Sequence, residues 1–102
     1  MYLESASFVP ADNFVLTVDH PPLLFMAPAG AIDVLMPTSN AARQGLKFII
    51  VNTSGGANTI TLKTDGDAAF TVAMTIAQNA AIQVVCTGSA VQASGWRAVS
   101  IT

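Results

Sequence analysis

Charge is what this sequence has least of. Only 10% of its 102 residues are Asp, Glu, Lys or Arg, while 52% are hydrophobic; an average soluble domain carries about 25% charged residues. A freely diffusing monomer relies on charge to stay soluble. A surface this neutral is therefore expected to be covered in part by other subunits, with small Thr, Ser, Asn and Ala side chains dressing the remainder. The four cations, Arg43, Lys47, Lys63 and Arg97, are scattered through a chain of net charge −2. They form no basic stripe for counterion release, which excludes nucleic acid as an expected partner.

Cysteine and histidine are nearly absent as well. Cys86 is alone, so neither an internal disulfide nor a multi-cysteine zinc site can form within the chain, and a small buried hydrophobe is the expected role. A nucleophile triad needs a histidine oriented by an acid, and His20, the single histidine, precedes Pro21-Pro22 in an expected turn. It is expected to be exposed or hydrogen-bonded to backbone. Of the six carboxylates, Glu4, Asp12, Asp19, Asp33, Asp65 and Asp67, all but Asp33 fall in the N-terminal arm or in turns, and a glycosidase-type pair would need two facing each other across a cleft. The Asp65-Gly66-Asp67 turn is too short to supply the 6–8 oxygens of a calcium site. Ser54-Gly55-Gly56 lacks a following lysine and the helix that would hold a phosphate. The expectation is a non-enzyme with no catalytic residues, cofactor or metal.

Long hydrophobic runs are missing too. A bilayer span takes about 20 apolar residues, and the richest stretch, residues 23–32, is interrupted by Pro28 and Gly30. Met1-Tyr2-Leu3-Glu4-Ser5 has no basic region leading into an apolar one, so synthesis in the cytoplasm, without a recognisable export signal and without a membrane partner, is expected.

What is present is β rhythm. Short runs of β-branched and aromatic residues recur roughly every 10 residues between Gly, Pro, Asn, Asp and Ser, as in sandwiches and barrels. In residues 13–18, Phe14, Leu16 and Val18 share a face; His20-Pro21-Pro22 ends the run. Residues 23–26 form a second short strand, and residues 31–36 a third with Ile32, Val34 and Met36 on one face. Residues 38–45 suit a single helical turn, capped by Ser39 or Asn40 and stopped by Gly45. Residues 46–52 read as the central strand, since both alternating sets, Leu46/Phe48/Ile50 and Lys47/Ile49/Val51, are mostly apolar. Burial on both sides is expected, by a second sheet and a loop or by a neighbouring subunit.

Residues 53–57 read as a loop leading to residues 58–64, with Ile60 and Leu62 inward, and this pair is expected to be a hairpin. Asp65-Gly66-Asp67 is the next turn, with Gly66 taking a positive φ. Phe70, Val72, Met74 and Ile76 then hold one face, and residues 80–87 and 96–101 complete about eight strands, around a polar loop at 88–95. The expected fold is all-β, a jelly-roll-like antiparallel sandwich spanning residues 13–102. Trp96 with Arg97 is read either as a plug at the end of the core or as a sugar-stacking platform. Residues 1–12 form an N-terminal arm whose Tyr2, Leu3, Phe8 and Val9 are too apolar for an idle tail; it either folds onto its own sheet or docks on a partner.

The succession Phe14-Val15-Leu16-Thr17-Val18, Leu23-Leu24-Phe25-Met26-Ala27-Pro28-Ala29-Gly30, Ile32-Asp33-Val34-Leu35-Met36-Pro37, Lys47-Phe48-Ile49-Ile50-Val51-Asn52-Thr53 and Gly95-Trp96-Arg97 resembles the small decoration, or cement, proteins of tailed bacteriophage heads. The likeness runs from about Asn13 to Ile101; Met36-Pro37 stands where the pattern more often has Leu-Pro. The resemblance implies a virion structural protein without an active site, made in the host cytoplasm. It would bind the capsid exterior, commonly as a homotrimer, and clamp adjacent subunits of the major capsid protein. Tyr2, Leu3, Phe8 and Val9 would then be the capsid or subunit contacts, because interface anchors favour buried aromatic and apolar side chains. Related modules in phage tail fibres supply the alternative, a receptor- or glycan-binding domain.

Overall fold

A computed structural model describes residues 4–101. The described chain is all-β, with nine strands: β1 Ser5–Phe8, β2 Phe14–Val15, β3 Leu23–Met26, β4 Ile32–Leu35, β5 Lys47–Asn52, β6 Ile60–Lys63, β7 Thr75–Ile76, β8 Ala81–Cys86 and β9 Trp96–Ile101. They form a five-stranded sheet in the order β1-β3-β5-β8-β9 and a four-stranded sheet in the order β2-β4-β6-β7.

The first six strands alternate between the sheets, so three successive turns of chain each lay one strand in either sheet. Strands of successive turns pair in parallel: β1 with β3, β3 with β5, β2 with β4 and β4 with β6. Only β7, β8 and β9 add antiparallel ladders. The antiparallel pairing expected throughout is thereby corrected to mixed sheets. The three turns stack through their crossovers as well as their strands. Ala27 N–H donates to the Phe8 carbonyl at 2.9 Å, and Thr53 N–H to the Met26 carbonyl at 2.8 Å. Asp12 Oδ1 accepts the Asp33 N–H at 2.8 Å. The second turn is longer than the first because it carries a 3₁₀ turn, Ala41–Arg43, ahead of β5, so no fixed period shows in the sequence.

The expected hairpin between residues 46–52 and 58–64 is not formed. β5 lies in the five-stranded sheet and β6 in the other. The intervening segment is fastened to the previous crossover, Asn58 Nδ2 donating to the Pro28 carbonyl at 2.9 Å, and this carries the chain across the core instead of back along β5. At 65–67 the positive φ falls on Asp67, at 62°, and not on Gly66. The turn closes on Thr64, whose carbonyl accepts the Asp67 N–H and whose Oγ1 accepts the Ala68 N–H, and Asp tolerates the left-handed region.

One hydrophobic cluster draws on both sheets: Leu24, Met26, Phe48, Ile50, Ile82 and Val84 from one, Ile32, Val34, Ile60, Leu62 and Ile76 from the other. The alternation expected for residues 31–36, 46–52 and 58–64 is what buries these side chains. β5 is the middle strand of its sheet; its Phe48 and Ile50 face is buried, while Ile49 and Val51 on the other face are only half-buried, so the burial expected on both sides is met within the chain on one.

Gly95 sits where the 88–95 loop meets the segment after β4. A Cβ at Gly95 would lie 2.4 Å from Ser39 Cβ. Ser39 cannot retreat, since its N–H donates to Gln92 Oε1 at 2.7 Å and its carbonyl accepts from Gln92 Nε2 at 2.9 Å. Gly95→Ala is therefore expected to cost about 1–3 kcal/mol of stability through overpacking, read as a lower urea midpoint; an unchanged midpoint would show that the two segments separate freely.

Candidate interaction surface

Strand alternation that sends one set of side chains into the core sends the other set out. On the five-stranded sheet the outward rows are Ser5-Leu23-Ile49-Gln83 and Ser7-Phe25-Val51-Ala81. Leu23, Phe25, Ile49, Val51 and Val85 are only half-buried there. Among the described residues no further strand is layered over them, because the four-stranded sheet occupies the opposite face. At one end of this apolar face the exposed cations Lys47 and Arg97 flank Val85. The molecule thus presents a broad, weakly charged sheet face in place of a cleft of converging polar groups.

The polar side chains singled out in the sequence are spread apart and engaged locally. His20 Nδ1 accepts the Thr17 N–H at 3.0 Å and lies 3.1 Å from Thr17 Oγ1, the backbone-bonded turn role expected of it. Its ring also packs against Phe8 and Phe14, each with centroids 5.6 Å away. Cys86 is buried, with its sulfur 3.3 Å from Ser39 Oγ. Asp12 accepts two main-chain N–H groups, those of Asn13 and Asp33. Asp65 Oδ2 accepts the Thr38 hydroxyl at 2.6 Å, and Arg43 Nη1 donates to the Thr38 carbonyl at 2.7 Å. Those three residues line an open groove with Val15, Val18 and Leu35, where their hydrogen bonds hold the segment after β4 in place. Among the described residues no group of three or more His, Cys, Asp or Glu side chains gathers around a common point.

No protein-family model matches the chain, and no curated protein is significantly similar to it.

Of the four expected contact residues, Tyr2 and Leu3 lie outside the described residues. Phe8 ends β1 half-buried against the core, its ring centroid 5.3 Å from that of Phe14; its apolar surface is largely taken up within the chain. Val9, 79% exposed, is the member of the set that offers itself to a partner. Residues 5–8 of the arm are an edge strand of the five-stranded sheet, so this part folds onto its own sheet. The sugar-stacking reading of Trp96 is overturned: the indole is 2% exposed, donates Nε1–H to the Pro37 carbonyl at 2.9 Å and packs on Phe48. Along β9 the side chain of Trp96 turns inward and that of Arg97 outward.

A buried polar residue went unread in the sequence. Asn52 is fully buried and donates to the carbonyls of Asn58, at 2.8 Å, and Ile76, at 3.0 Å, while its Oδ1 accepts the Ser54 N–H at 3.0 Å. Position parity carried the signal. Asn52 falls on the same side of β5 as Phe48 and Ile50, and a buried amide must find partners.

Proposed function

We propose that this chain is a structural virion protein that binds the outer surface of a phage capsid and stabilises contacts between major capsid subunits. It works as a homo-oligomer, a trimer by preference, and without catalysis. The same reading takes the two sheets, which share one core, as the layers of a sandwich. The observation that carries it is the uncovered apolar face of the five-stranded sheet in a chain with 10% charged residues. Large apolar patches on a weakly charged protein mark surfaces that other proteins cover. Many copies on one shell add modest contacts into firm attachment, so no deep pocket is required. The resemblance of the strand succession to decoration proteins supplies the partner. A fibre module that binds glycans would have to do so without Trp96, which the core holds.

The test is co-sedimentation of the purified protein with expanded, undecorated heads of the phage that encodes it. Binding that saturates at a fixed stoichiometry is expected. Val51→Lys on the outer sheet face, or Val9→Asp, should weaken it by about tenfold or more, the loss of one well-placed interface anchor. Absence of binding by the unaltered protein would remove the capsid from the reading.

A further inference from the structure

The two sheets treat their edges differently. The four-stranded sheet ends on β2 and β7, two residues each, too short to template another strand. The five-stranded sheet ends on β1, four residues, and β9, six residues. Neither contains proline or lysine, and Arg97 is the single charge in the two strands; a register shift leaves Val99 as an extra residue between Ala98 and Ser100, so the regular part of the β9 edge is its first half, Trp96 to Ala98. Open edges of this length are normally blunted by proline or charged residues, because their unpaired N–H and C=O groups recruit another strand.

Which groups face outward follows from the ladder. The Cys86 N–H bonds the Leu46 carbonyl and its own carbonyl accepts the Gly45 N–H, so Cys86 faces β5 and Val85 faces β9. Val85 is paired with Arg97, whose main chain therefore points back to β8, and that of Ala98 points away from the sheet. On β1, the Glu4 and Phe8 carbonyls accept from Leu23 and Ala27, which turns the main-chain groups of Ser5 and Ser7 outward.

β9 runs in the same direction as β1, since β1, β3 and β5 are parallel and two antiparallel steps follow. Continuing the sheet from β9 of one copy into β1 of the next thus makes a parallel pair whose starting ends coincide. Glu4, just ahead of β1, and Arg97, near the start of β9, are opposite in sign and both exposed.

We propose that the occupant of the β9 edge is the β1 edge of a second copy of this chain, so that the five-stranded sheet runs on from subunit to subunit. Such a contact is heterologous, joining two different patches, and it is satisfied throughout only when the copies close into a ring. A ring of three gives every copy one donor and one acceptor edge. This rests on the assembly-forming reading above and adds the surface by which the copies join.

Sedimentation velocity and native mass measurement on the purified chain test it. A species of three times the 10.5 kDa subunit is expected. Ala98→Pro removes an outward N–H while sparing the β8–β9 ladder, and a shift to folded monomer, checked by circular dichroism, is the expected result. Arg97→Glu should weaken assembly by about tenfold, and adding Glu4→Arg in the same chain should restore it. These exposed positions keep the test valid if the proline variant unfolds. A monomeric or dimeric wild type, or an Arg97→Glu chain that assembles normally, overturns the proposal. A trimer that ignores heads sinks the capsid reading and leaves this interface standing; a monomer that binds heads does the reverse.

Discussion

Replacing Trp96 with Ala is expected to lower the stability of this domain by about 3–5 kcal/mol, the range for truncating a large buried aromatic. That is a large share of the roughly 5–15 kcal/mol that holds a domain of this size together. The indole closes the end of the core where β9 begins, between Phe48 and the segment after β4, and its Nε1–H is the partner of the Pro37 carbonyl. Trp96→Phe separates the two contributions. It refills much of the volume but leaves the Pro37 carbonyl without its donor, at a cost of about 1–3 kcal/mol. Urea unfolding followed by circular dichroism should therefore rank the midpoints wild type, Trp96→Phe, Trp96→Ala. Equal midpoints for wild type and Trp96→Ala would show that the indole does not hold the core, and would reopen the question of a surface role.

Trp96 also shows which parts of the fold were readable beforehand. As a plug at the end of the core it was one of two readings, whereas the burial of Ile32, Val34, Phe48, Ile50, Ile60 and Leu62 followed from period-2 alternation, because side-chain direction in a strand is a local property. The bounds of β3, the 3₁₀ turn before Gly45 and the central place of β5 were legible for the same reason: each depends on a handful of adjacent residues. Pairing was not legible. Whether β5 returns along itself or crosses to the second sheet depends on Asn58 reaching Pro28 and on Thr53 reaching Met26, contacts between segments far apart in sequence. The unequal turns concealed the repeat that would have suggested parallel stacking. For the candidate surface, composition indicated that something covers the chain. Of the named anchors, Phe8 is spent on Phe14 and His20, and the broader apolar face emerges only when β3, β5 and β8 are brought side by side.

The largest pH-dependent effect is expected at Asn52. Its side chain joins the end of β5 to the main chain at Ser54, Asn58 and Ile76, tying the five-stranded sheet to β7 of the other and to the segment that leads into β6. Asn52→Leu preserves volume but strands two buried main-chain groups, the Ser54 N–H and the Ile76 carbonyl; at about 1–3 kcal/mol each, a loss of roughly 2 kcal/mol or more is expected at any pH. Asn52→Asp keeps the acceptor for the Ser54 N–H and replaces the two donated hydrogen bonds with a carboxylate oxygen facing two carbonyls. Desolvation and these oxygens favour the protonated acid, so the folded-state pKa of the introduced carboxyl lies above its unfolded value of about 3.9. The folded protein then binds more protons than the unfolded chain, and stability falls as pH rises from that unfolded value through the raised folded one. At low pH the protonated carboxyl regains one O–H donor for Asn58 or Ile76, and the deficit shrinks. Unfolding free energies at pH 5 and pH 7.5 should thus give a deficit for Asn52→Asp that is larger at the higher pH, beside a constant deficit for Asn52→Leu. A pH-independent Asn52→Asp variant would mean that water reaches this side chain and that the crossover is held by other bonds.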